Sequence, residues 1–175
     1  MATKDQTKHY LVFDVESMGL HGEGFAVGGS LFNHRGERLD SFLFCCPTEG
    51  LYSSPEDRAW INDNVPLLPA MYNTPRDIRD AFWSYYTTAK KEYDNLMVAA
   101  ETPWPVESNF LSACIKDDPS RHWEGPYPLL DISSVMFTAG EDPLTPVPRD
   151  ESELPYHHPG ADAYASANIL FKLIK

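Results

Sequence analysis

The order of apolar patterns predicts an α/β fold: a mixed five-stranded sheet flanked by helices on both faces. Three observations carry this. Three strand-like runs follow one another within residues 10 to 46, separated by turn residues. Two later short apolar runs, Asn95–Glu101 and Tyr127–Ile132, have the length and near-continuity of buried parallel strands. Amphipathic or alanine-rich helical stretches lie between and after them.

The first strand is Tyr10–Ser17, which ends on Asp14-Val15-Glu16-Ser17. Residues two apart in a strand share a face, so Asp14 and Glu16 project together while Phe13 and Val15 pack behind them. Two adjacent carboxylates repel and are costly near an apolar core without a cation. A hard divalent ion with oxygen ligands meets that need. A solvated acidic edge is the plain alternative.

Phe25–Phe32 is the second strand, with Gly28 and Gly29 marking a close backbone approach or a bulge. Asn33–Glu37 is a turn, and Leu39–Cys45 is the third strand, completing an antiparallel meander. Ser54-Pro55-Glu56-Asp57 and Thr74-Pro75-Arg76-Asp77 each place a capping side chain before a first-turn proline and acids. They open helices running to about Asn64 and Tyr93. The second carries Ile78, Phe82, Tyr85, Tyr86 and Ala89 as an apolar stripe. After the fourth strand, Thr102-Pro103-Trp104-Pro105 breaks the chain, and a helix runs from Val106 to about Lys116. Residues 138–155 are proline-rich, acidic and aperiodic, which predicts a long loop over one edge of the site. A last helix spans about Gly160 to Leu173.

With 175 residues, 42% hydrophobic and 13% aromatic, the chain suits one domain with a sizeable core over residues 1–175. No apolar run is long enough to span a bilayer. Met1 to Lys8 is polar and lacks the apolar core of a signal peptide, so the expected location is cytoplasmic. Cys45, Cys46 and Cys114 have no zinc-type spacing and read as reduced structural thiols. The net charge of −12 argues against gripping long nucleic acid through a broad basic face. It is compatible with a short end held through metal ions.

Three further features can meet the first acids. Glu107 opens the helix after the fourth strand, where the helix dipole favours its charge; Glu101, ending that strand, competes for the same role. Tyr156-His157-His158-Pro159-Gly160-Ala161-Asp162 leads into the last helix. Asp162 sits near its N-terminus, and His157 lies on the entering loop, where an imidazole can take a proton from water. Asp131, at the end of the fifth strand, suits structural hydrogen bonding.

Taken in order, this pattern resembles the DEDDh-type 3′–5′ exonuclease superfamily, of ribonuclease H-like fold. Phe13-Asp14-Val15-Glu16-Ser17-Met18-Gly19-Leu20 is similar to its first motif, Phe-Asp-x-Glu-Thr-x-Gly-Leu. His157 through Ala163 is similar to its third, with His158 the runner-up for the histidine. The second motif departs, because Glu107 stands where an aspartate is usual. Val106-Glu107-Ser108-Asn109-Phe110-Leu111 otherwise keeps the frame, and it is most similar to a bacterial and phage branch of exoribonuclease-like proteins. The resemblance implies two Mg²⁺ or Mn²⁺ ions held by Asp14, Glu16, Glu107 and Asp162, with Asp14 bridging both and His157 as general base. It implies release of nucleoside 5′-monophosphates from short single-stranded RNA or DNA 3′ ends, with RNA favoured. Met18, Gly19, Leu20, Trp104 and Phe110 are then candidates to contact the terminal nucleotides, or plain packing. Many members are homodimers, so the resemblance allows one here. A catalytically inactive binding module of the same fold and a metal-dependent phosphatase are the competing readings.

Overall fold

The computed structural model describes residues 7–174. Most of the polar N-terminal stretch read as lacking a signal peptide therefore lies outside the described residues. The strands are β1 (His9–Ser17), β2 (Gly24–Phe32), β3 (Arg38–Cys45), β4 (Leu96–Ala100) and β5 (Leu129–Asp131). They form one sheet in the order β3-β2-β1-β4-β5. β1–β2 and β2–β3 are antiparallel, while β1–β4 and β4–β5 are parallel, so the sheet is mixed as predicted.

The helices are α1 (Pro55–Asn64), α2 (Pro75–Glu92), α3 (Val106–Asp117), α4 (Ile132–Thr138) and α5 (Pro159–Leu173). Ser54 and Thr74 accept hydrogen bonds from the backbone of Asp57 and Asp77, which starts α1 and α2 where the sequence places them.

Alternation along β1 splits the core in two. Leu11, Phe13 and Val15 pack with Ile78 and Phe82 of α2 and Phe110 and Cys114 of α3. Tyr10 and Val12 pack on the opposite face with Ala167 and Leu170 of α5. The same period puts Asp14 and Glu16 on the α5 side. Gly28 is paired with Asp14 across the ladder. A side chain there would run into the backbone of Pro159 and Gly160, so its absence lets the start of α5 lie against the sheet. Arg79 fixes α3 from the other face: its Nε donates to Asp117 Oδ2 at 2.6 Å, and Nη1 pairs with Glu23 in the β1–β2 turn.

Two elements differ from expectation. The fifth strand is only three half-buried residues, because it is a sheet edge that pairs with β4 alone. The run was expected to continue as strand through Ile132, but Asp131 caps a helix instead. Its carboxylate accepts from Ser134 N at 3.2 Å and Ser134 Oγ at 2.6 Å, and the fully buried Ile132 opens α4. The long loop is anchored at its end. Glu151–Glu153 forms a 3₁₀ turn, and the buried Glu153 accepts from Asn168 of α5 at 2.7 Å. The three cysteines are free and buried, and burial pushes the Cys114 thiol up to about 12, which disfavours the thiolate.

Candidate active site

β1 and β4 pair only as far as Val12 and Ala99. Beyond that point the strands part, and the N-termini of α3 and α5 converge on the end of β1. Val15 N–H has no β4 partner in this ladder and donates to Glu107 Oε1 at 3.3 Å. Both helix N-termini direct partial positive charge at the crevice, which offsets some of the cost of placing acids there.

Glu16, His157 and Asp162 come together: one ligating atom from each lies within 4.8 Å of the others. Glu16 and Asp162 are both 8% exposed. His157 Nδ1 is 3.7 Å from Glu16 Oε1. His157 is at φ 58°, the only non-glycine residue with a left-handed backbone among those described. That geometry costs about 1 kcal/mol and turns the ring back over the acids. Trp60 of α1 stands edge-on to it, with ring centroids 4.8 Å apart. His158 is used differently: its Nδ1 accepts from Ala161 N at 3.2 Å and caps α5.

Asp14 and Glu107 lie outside the group that meets within 4.8 Å, and are coupled to it through charge. Burial holds Asp14 well above the usual carboxylate range, and Glu107, Asp162, Glu16 and Glu101 all push it further. Burial, then Asp162 and Glu107, lift Glu16 to about 8. Burial lifts Glu107 to about 7, against the lowering effect of its backbone hydrogen bonds. Glu101 takes part in this field, but its Oε2 accepts a 2.6 Å hydrogen bond from Ser166 Oγ, which turns it toward α5.

Desolvated carboxylate oxygens repelling one another are the donor set of a hard divalent cation. A cation already stands there: the guanidinium of Arg149, from the long loop, pairs with Asp162 Oδ1. Sequence reasoning missed both Arg149 and Trp60. Arg149 is the sole basic residue in 138–155, and that was the available signal. Among the nucleotide-contact candidates, Leu20 and Trp104 are exposed. Gly19 has φ +82° in the turn that leads from β1 to Leu20. Met18 corrects the expectation: it is 2% exposed and packs in the core. Phe110 is also buried, yet one edge lines a cleft of about 410 Å³ with His21, Asn109 and Lys116.

The fold is ribonuclease H-like, with the exonucleases among its structural neighbours. Pop2p of S. pombe, in its Mg²⁺- and Mn²⁺-bound form, superposes with a TM-score of 0.68 at 12% identity, over 93% of this chain and 81% of that one. The zinc-bound complex of E. coli exonuclease I with single-stranded DNA gives 0.68 at 14% identity, over 96% of this chain. Exonuclease I with a dA16 oligonucleotide gives 0.67 at 13%. This chain spans about 40% of the length of exonuclease I. No model of a protein family matches the sequence, and no curated protein does.

The raised carboxylates predict a pH effect. Native Glu16 and Glu107 hold protons that the unfolded chain releases near its ordinary value of 4.5. The contribution to stability is present below that value and is lost as pH rises toward about 7 to 8. Melting temperature in EDTA should fall between pH 5 and pH 8. Glu16→Gln should flatten the fall, and Mn²⁺ should reverse it.

Proposed function

We propose that this chain is a metal-dependent 3′–5′ exonuclease that removes nucleoside 5′-monophosphates from short single-stranded ends, RNA in preference to DNA. The observation that carries the proposal is the meeting of Glu16, His157 and Asp162 beside Asp14 and Glu107. These residues lie far apart in sequence, on two helices, a strand and a loop. Their convergence at the parting of two parallel strands is the usual place for a ligand in an open α/β sheet. Support comes also from the sequence motifs and from the exonuclease fold.

Asp14, Glu16, Glu107 and Asp162 would hold Mg²⁺ or Mn²⁺. When bound, such ions supply charge stabilisation for the attacked phosphate and the leaving 3′-oxygen. His157 takes the proton from the attacking water through a ring nitrogen, and Glu16 beside Nδ1 stabilises the imidazolium that forms. Trp60 limits the ring's motion. Leu20 and Trp104, both exposed, present apolar surface to the terminal bases. The overall negative charge disfavours a long duplex and suits a short end.

Oligonucleotides labelled at the 3′ or the 5′ end, as RNA and as DNA, test this in Mn²⁺ and in EDTA. Stepwise shortening from the 3′ end with release of 5′-monophosphates, stopped by EDTA, is expected, and it should be faster on RNA. Release of inorganic phosphate alone would point to a phosphatase. Binding without cleavage would point to an inactive module.

A further inference from the structure

Arg149 is where the cation chemistry of this site departs from a simple carboxylate cluster. Its side chain is 16% exposed and that of Asp162 11%, so the pair is largely withdrawn from water. The oxygen it holds belongs to one of the three residues that converge on a shared ligand position. The guanidinium carbon lies 4.4 Å from the centroid of Tyr156, next in sequence to His157, and Nη1 is 3.5 Å from Glu153 O. The Glu153 side chain in turn accepts from Asp150 N at 2.9 Å and from Asn168 of α5. Arg149 is thus held on a short anchored segment, not on a free loop. Arg149 also lines a cavity of about 180 Å³ together with Glu101, Met136, Glu153 and Tyr156.

A divalent cation that takes Asp162 Oδ1 competes with the guanidinium for the same desolvated oxygen, and the two cations repel at that range. Metal entry at Asp162 therefore releases Arg149. The Tyr156 ring and the Glu153 turn keep the freed cation at the rim. A nucleic-acid strand brings phosphates to that rim, and the planar fork of arginine matches a phosphate with two parallel hydrogen bonds.

We propose that Arg149 works in two positions: counterion of Asp162 in the metal-free protein, and ligand of a strand phosphate once a cation has displaced it. The second half rests on the nuclease reading; the first does not. Arg149→Met and Arg149→Lys test both halves in the full chain. In calorimetric titration with Mn²⁺ alone, Arg149→Met should bind about tenfold more tightly than the wild type, since no internal cation competes. Arg149→Lys keeps the charge and should stay close to the wild type. In Ca²⁺, anisotropy of a 5′-fluorescein-labelled single-stranded RNA should show Arg149→Met binding about tenfold more weakly, with Arg149→Lys between. Unchanged or weaker Mn²⁺ binding in Arg149→Met overturns the proposal, and so does unchanged RNA binding. The Mn²⁺ titration contains no nucleic acid, so its result stands apart from whether the wild type degrades RNA. If the methionine variant folds poorly, Arg149→Gln, which removes the charge and keeps a polar side chain, replaces it with the same two expected results.

Discussion

Asp14→Asn is expected to abolish turnover while leaving the fold intact. Asparagine keeps the shape of the side chain and removes its charge. Glu107, Asp162, Glu16 and Glu101 all act on Asp14 through their charges. In the proposed centre Asp14 is the acid shared between the cations, and asparagine cannot replace its charge. Several kcal/mol of charge stabilisation depend on them, and at 1.36 kcal/mol per tenfold the loss is on the order of 10³-fold or more. The metal-free protein should gain, because an acid that is costly to desolvate among other acids is gone. Urea unfolding in EDTA should therefore show Asp14→Asn at least as stable as the wild type. Turnover within tenfold of wild type in Mg²⁺ would remove Asp14 from its assigned role.

His157→Ala should cut the rate by a factor on the order of 10²–10⁴, the usual cost of losing a general base. The structure offers a second role for this residue, since its ring nitrogen lies close enough to Glu16 and Asp162 to serve as a metal ligand. Mn²⁺ affinity separates the two. A base can be removed without loosening the cation, whereas removing a ligand weakens binding. The account predicts slow turnover with Mn²⁺ affinity retained. His157→Gly adds a structural check: its left-handed backbone suits glycine, so this variant should melt no lower than His157→Ala while being just as slow.

Much of the scaffold was legible in the sequence because each signal was local. Alternation in Tyr10–Ser17 put Asp14 and Glu16 on one face, and the structure shows that face turned toward α5. Ser54-Pro55 and Thr74-Pro75 announced two helix starts. Gly28 signalled a close approach, which proved to be the entry of α5. The order of acids along the chain pointed to a site before any distance was known. The missing parts depend on contacts that no local pattern encodes. Asp131 ends an edge strand and starts α4 in the same residue, so a short apolar run read as strand for too long. Spacing to Asp162 favours His157 over its neighbour His158, but only the backbone shows what each does, with His158 spent on capping and His157 turned into the crevice. Arg149 belongs to a stretch without period, and its partner Asp162 lies in the following helix. Met18 was expected near the nucleotide because it follows the acids, but in the core its apolar side chain is shielded from water.

The central claim is that Asp14, Glu16, Glu107 and Asp162 act as one cation-binding centre. Anomalous diffraction from crystals soaked in Mn²⁺ tests it most directly. The account predicts manganese peaks between Asp14 and the other three acids, with Arg149 no longer on Asp162. Manganese bound elsewhere, or a crevice that stays closed by the Arg149–Asp162 pair at saturating Mn²⁺, would contradict it.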